Sequence, residues 1–286
     1  MATGLLAADA AVLETFVVPR YLALFADPLV EVLLPAQGAK VMHLGCRTGY
    51  PDVAVARRLP GASMVGVDPS PDAVDLARVK AQTVSEAAVE YVISNGMPTP
   101  YHSQSFSHAL SIHPLAPVAE DRALLFAEMS RLVAPSGQVL LALPLRGSFQ
   151  ELLDLLREHA LKHDAGDVGR AAEAAATLRP NVEMLGEELE AAGLEDVDIS
   201  LRRATVEFQS GRDFFEDPIA RLLVLPDLAA HLPGLDLAVA WRYVREAIDR
   251  YWADDRFELS VTVGVASARR YLAVATKTIV TPSISC

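Results

Sequence analysis

The sequence predicts an α/β fold built on a doubly wound, mostly parallel sheet, and three observations predict it. Short apolar runs alternate with helix-length segments from about residue 40 to residue 143. The first run, Val41–Leu44, leads into a glycine-rich turn, Gly45 to Gly49, that opens a helix. The second run, Met64–Val67, ends at the acid Asp68.

In chain order, residues 1–38 read as two helices, of which Tyr21–Leu34 is the more amphipathic. After Asp68, Ser70-Pro71-Asp72 supplies a hydroxyl cap, a proline at the first helical position and an acid in the first turn. Tyr91–Ile93 and Ala109–Ile112 are the third and fourth strands. A helix follows over about Glu120–Val133, then a turn at Pro135-Ser136-Gly137, then the buried strand Val139–Leu143. Phe149–His163 reads as a helix, and the Ala/Gly-rich stretch 164–180 as a loop or lid. Met184–Ala192 is a helix closed by Gly193, and Val197–Phe208 alternates like a strand. Residues 212–254 read as helical and carry both tryptophans, and one or two strands lie between Leu259 and Thr276.

This gives an α/β chain with a seven-stranded sheet, N-terminal helices and a helical insertion before the last strand. Residues 1–38 form a helical cap, 39–210 the core, 211–256 the insertion, and 257–286 the closing strands.

Composition bounds the function. Hydrophobic residues make up 51% and aromatics 6%, so Ala, Leu and Val must build the core. A formal net charge of −12 repels phosphate backbones, which argues against a nucleic-acid partner. No apolar run approaches the roughly 20 residues of a spanning helix. Only Cys46 and Cys286 are present, and no basic segment precedes the first apolar residues, so a reducing, cytoplasmic location is expected.

VMHLGCRTG, residues 41–49, resembles the VLDLGCGTG motif of the class I S-adenosylmethionine-dependent methyltransferases. MVGVDPSPDAVDLA is similar to their second motif, MPTPYHSQSFSHALSIHPL to their LPFPDxSFDxV segment, and FAEMSRLVAPSGQVLLALP to the segment entering the fifth strand. TFVVPRYLALFADPLVEVL and LGEELEAAGLEDVDISL resemble flanking elements of the quinone-biosynthesis-like branch. The resemblance covers residues 15–210 in order and leaves 212–256 unexplained.

The resemblance implies a Rossmann-like methyltransferase fold and S-adenosylmethionine as cofactor. Gly45 and Gly49, with Cys46 and Arg47 between them, would line its methionine part. Asp68, followed by Pro69, would hold the ribose. Asn95 and Gly96 would lie near the adenine, and Ser111 to His113 at the pocket mouth. Four positions depart from the family pattern. His43 replaces an acid, Arg47 the middle glycine, Asn95 an acid at the adenine, and Ser107 the Asp of the SFD element.

His113 is the general-base candidate, against a packing role. Tyr21 and Arg146 are candidate contacts to the acceptor; a solvated arginine is the plainer reading of Arg146. His159 and His163 have the i, i+4 spacing of metal ligands but no third ligand, so they read as surface residues and no metal is expected. Trp241, Tyr243, Tyr251 and Trp252 would line a pocket, pack helices or form a homodimer interface. The leading function is methyl transfer to a small, partly apolar acceptor. The rival is a pseudo-methyltransferase that lost or altered its cofactor site and acts in regulation or assembly. An NAD-dependent oxidoreductase is disfavoured because the third glycine of G-x-G-x-x-G is missing.

Overall fold

In the computed structural model, described over residues 7–82, 88–115, 117–230 and 234–271, the expected alternation builds one seven-stranded sheet. Its strands are β1 (Lys40–Leu44), β2 (Ser63–Asp68), β3 (Ala88–Ile93), β4 (Phe106–Ile112), β5 (Val133–Pro144), β6 (Glu195–Phe208) and β7 (Phe257–Arg269). They lie in the order β3-β2-β1-β4-β5-β7-β6. The first five pair in parallel, and β7 is antiparallel to both β5 and β6.

Helices cover both faces, which is why β1 is buried from Val41 to Leu44 without alternation. Val41 packs into one core with Phe25 and Leu29, while Met42 and Leu44 pack into the other with Phe126 and Met129. The chain leaves β1 toward β2 and β3, then returns to β4 on the other side of β1. In open α/β sheets such a reversal parts the connections at the carboxyl edge, and the crevice between them is where a ligand is expected.

Several elements differ from expectation. The N-terminal cap is one unbroken helical run, through Ala7–Val12, Leu13–Leu22 and Ala23–Glu31, rather than two helices. Pro19 lies within a widened i→i+5 segment, which accommodates the hydrogen bond its ring removes. The stretch expected as a loop or lid holds a helix, Gly166–Leu178. Alanine is the strongest helix former, and Val168, Ala172 and Ala175 share one buried stripe. The turn at Pro135 to Gly137 falls inside β5, where Ser136 takes a φ of 63°. β7 is a single strand, and residues 272–286, including Cys286, lie outside the described residues.

The insertion forms helices Gly211–Glu216, Ala220–Val224, Leu225–Ala230 and Ala238–Tyr251. Its aromatic residues pack within the chain: Phe214 meets Phe208 and Phe257 at centroid distances of 5.1 and 5.5 Å, and Trp252 meets Phe257 at 5.0 Å. His159 is buried, not at the surface, because its helix turns that face toward Tyr243, whose ring lies 5.2 Å away. Among the described residues no cluster of metal-ligating side chains occurs, and no helix is long and apolar enough to cross a membrane.

Candidate functional site

The turn after β1 sits at the crevice and is fixed from both sides. The N–H groups of Gly45 and Cys46 donate to the Val67 carbonyl at 2.9 and 3.0 Å, tying it to β2. Asp68, only 6% exposed, adds a second tie with its carboxylate. One oxygen accepts the Arg47 N–H and the other the Ser70 N–H, each at 2.9 Å. The Ser94 N–H donates to the Asp68 carbonyl, which draws the end of β3 alongside. Asn95 and Gly96 follow there, exposed, as does Pro69 on the loop after β2.

The two outer glycines of the turn serve different ends. Gly45 has a φ of 70°, and a side chain there would meet nothing within 4 Å, so open space faces it. Gly49 has a φ of 77°, and a Cβ on it would come 2.4 Å from the Tyr91 hydroxyl. Gly49 is therefore required by Tyr91 whether or not a ligand binds.

Below the turn lies a buried polar network that the motif comparison missed. Nδ1 of His43 hydrogen-bonds one Asp52 oxygen at 2.7 Å, and the Tyr91 hydroxyl donates to the other at 2.7 Å. His43 and Asp52 are 1% and 2% exposed. Nε2 of His43 is buried with no partner. Burial, then the Asp52 charge, pushes the Tyr91 phenol far up, so its O–H stays a donor. The sequence signal for Asp52 was slight: an acid in the first turn of the helix that the glycine turn opens.

Arg47 takes the left-handed conformation, with a φ of 48°. Its side chain folds back across the crevice: one guanidinium nitrogen donates to the Gly45 carbonyl at 3.2 Å and to the Ile112 carbonyl at 2.8 Å. It thereby bridges the carboxyl ends of β1 and β4, and burial pulls its pKa below the usual arginine value. Outside the turn, Glu14 of the N-terminal run accepts from Thr48 and Lys80, both at 2.6 Å, clasping the turn to the helix Pro71–Ala81. Those three residues were also missed, since their pairing spans distant segments.

The other candidates are placed as follows. Ser111 is fully buried and its hydroxyl donates to the Leu44 carbonyl at 2.8 Å. Cys46 is buried, which pushes its thiol pKa up. Tyr21 is fully buried and its hydroxyl donates to the Pro114 carbonyl at 2.7 Å, pinning the segment after β4. Arg146 is exposed, apart from the turn, and lines a groove of about 630 Å³ between the segment after β5 and the strands β6 and β7. Ser107 bridges β4 to β1 through the Lys40 backbone.

His113 follows β4 at the crevice. Burial first, then the Arg47 charge and His43, pushes its pKa down to about 3, so the ring is neutral across ordinary pH. An unfolded histidine titrates near 6.5, so between these values the unfolded chain binds the extra proton. Stability is full above the unfolded value and declines as pH falls toward the folded one. By about pH 5 the loss is on the order of 1–2 kcal/mol. Urea melts of the wild type and His113→Gln test this: the variant should lose that part of the acid sensitivity.

Residues 42–141 match a family model described as a methyltransferase domain. The chain is 33% identical over 153 residues to a malonyl-[acyl-carrier protein] O-methyltransferase of Halorhodospira halophila, covering 50% of this chain and 51% of that protein. It is 28% identical over 128 residues to methyltransferase GfsG of Streptomyces halstedii, covering 44% and 45%. The matched region thus spans about half the length of these relatives. Among solved structures, the YcgJ protein of Bacillus subtilis aligns with a TM-score of 0.54 at 12% identity, over 87% of this chain and 98% of that one. A SAM-dependent methyltransferase of Methanosarcina mazei aligns with a TM-score of 0.51 at 16% identity, over 86% and 98%.

Proposed function

This chain carries a methyltransferase domain of the class I family, and from that premise we propose that it binds S-adenosylmethionine at the β1 turn and methylates a small, partly apolar acceptor. The observation that carries the reading is the clamped glycine turn at the sheet reversal, with Asp68 on one side and an unpartnered buried nitrogen, Nε2 of His43, beneath it.

The residues present fit that cofactor at most points. Gly45 leaves open space, and Asp68 keeps further lone pairs for ribose hydroxyls after accepting its two N–H bonds. Asn95 and Gly96 are exposed where an adenine edge would lie. Arg47 is the exception, because its guanidinium takes two carbonyls at the crevice. Binding would require that side chain to swing out.

S-adenosylmethionine, when bound, supplies an electrophilic methyl group. The protein's own part is alignment, exclusion of water and, for a protonated nucleophile, removal of a proton. Neutral His113 has the lone pair for that last task. Moving Arg47 away would also remove one of the charges that depress its basicity. Tyr21, hydrogen-bonded beside His113, would shape the acceptor's apolar surroundings, and Arg146 would meet only an acceptor that reaches its groove. The relative named for malonyl-[acyl-carrier protein] makes oxygen acceptors the first to screen.

Calorimetric titration with S-adenosylmethionine and S-adenosylhomocysteine tests the reading. Binding in the micromolar range, about −8 kcal/mol, is expected. No heat at millimolar ligand would overturn it and favour a pseudo-methyltransferase held shut by Arg47.

A further inference from the structure

We propose that the open edge of β6 is a self-pairing interface. Two copies of this chain join there antiparallel, about a two-fold axis at Ser200, and the sheet of one continues into the other. The inference does not depend on the cofactor reading above.

β6 ends the strand order, so β7 is its one neighbour in the sheet. It runs for 14 residues and pairs with β7 without a break from Asp198 to Phe208. In an antiparallel pair alternate residues turn their N–H and C=O groups to the neighbouring strand, and the others turn theirs outward. Among the described residues, no backbone group of residues 197–205 makes a backbone hydrogen bond outside the sheet. The middle of the strand is also open to water. Asp198 and residues 200–203 are exposed, and Leu201 is 54% exposed. A long, unpaired edge of this kind is a ready surface for a further strand.

The order of its charges says which strand. An edge is commonly kept unpaired by charges, lysine above all, that repel an incoming copy. Here the sign inverts about Ser200, with Asp198 two residues before it and Arg202 two residues after. Pairing two identical strands antiparallel about Ser200 sets Asp198 of each copy directly opposite Arg202 of the other, both on one face. On the other face Ile199 of each copy meets Leu201 of the other, which covers the exposed leucine. Every contact then occurs twice, as a two-fold interface requires.

Other registers are poorer. A centre at Asp198 or at Arg202 opposes like charges. A centre at Ile199 needs Asp196 to face Arg202, but Asp196 has a φ of 50° in the bulge that precedes Asp198. The charges at Ser200 are also available. Asp198 enters no ion pair among the described residues. Arg202 pairs with the exposed Glu31, and its five N–H donors can serve a second carboxylate.

The experiment is light scattering on the full chain over a range of concentrations, for wild type, Asp198→Arg, Arg202→Asp and the double variant. Wild type should have the mass of two chains. Each single reversal opposes like charges twice and should raise the dissociation constant by about tenfold or more. The double variant restores both pairs with exchanged sides and should return to the dimer. Both positions are exposed, so melting temperatures should stay near wild type. Mild oxidation of Ser200→Cys, in a chain that also carries Cys286→Ser, checks the register. Directly opposite Cβ atoms lie about 5 Å apart, so a covalent dimer should form. Asp198→Cys in the same background should not cross-link, because its copy lies roughly 13 Å away along the strand. A monomeric wild type, a dimer indifferent to the single reversals, a double variant that stays monomeric, or cross-linking at 198 and not at 200 overturns the inference.

Discussion

Arg47→Gly should tighten binding of S-adenosylhomocysteine by about thirtyfold, or roughly 2 kcal/mol. In the wild type a ligand must first break the guanidinium's bonds to the Gly45 and Ile112 carbonyls, at 3.2 and 2.8 Å. Hydrogen bonds from a charged donor are worth about 1.5–3 kcal/mol each, and solvation of the released arginine returns part of that. The substitution leaves the backbone comfortable, since a φ of 48° is one that glycine adopts freely. S-adenosylmethionine carries one more positive charge than S-adenosylhomocysteine, so its gain should be the larger, and added salt should narrow the difference. Calorimetry at two ionic strengths measures both effects. Weaker binding by the glycine variant would instead make Arg47 a ligand contact. Arg47→Lys should fall between, because lysine keeps the charge and loses the guanidinium's reach.

Asp68→Ala should destabilise the fold itself, by about 3–5 kcal/mol. Its carboxylate is nearly inaccessible and accepts two backbone N–H groups, so the alanine leaves the buried Ser70 donor and the partly buried Arg47 donor unmet. For a chain of this size that is a drop of roughly 10 °C in Tm, readable by calorimetric melting. Ligand affinity should fall as well, because the turn that would hold the methionine part loses its clamp. Asp68→Asn retains one oxygen acceptor and should recover part of the stability while remaining weak in ribose binding. A melting temperature unchanged in the alanine variant would remove Asp68 from the clamp.

The motif residues are local to three strand ends, which is why so much of the sheet was legible. Val41–Leu44, Met64–Val67 and Val139–Leu143 lie in strands covered on both faces, and that requirement is written in runs that are apolar apart from His43. Asp68 follows its strand directly, so its placement at the edge needed no knowledge of distant segments. The Ala-rich stretch was misread because glycines at 166 and 169 suggest a loop, whereas Val168, Ala172 and Ala175 form a buried helical face. His159 was misread because its burial depends on a helix about eighty residues later in the chain bringing Tyr243 against it.

The amino-acid order by itself determined the α/β class, the glycine turn at the first strand and the acid at the second. These follow from local apolar patterning and from backbone conformations that few residues can adopt. Only the tertiary structure decided what the turn encloses. Tyr91 meets Asp52 across 39 positions, Arg47 reaches Ile112 across 65, and Glu14 reaches Lys80 across 66. A side chain's partner at such separation is set by how the layers pack, and no periodicity in the chain encodes it.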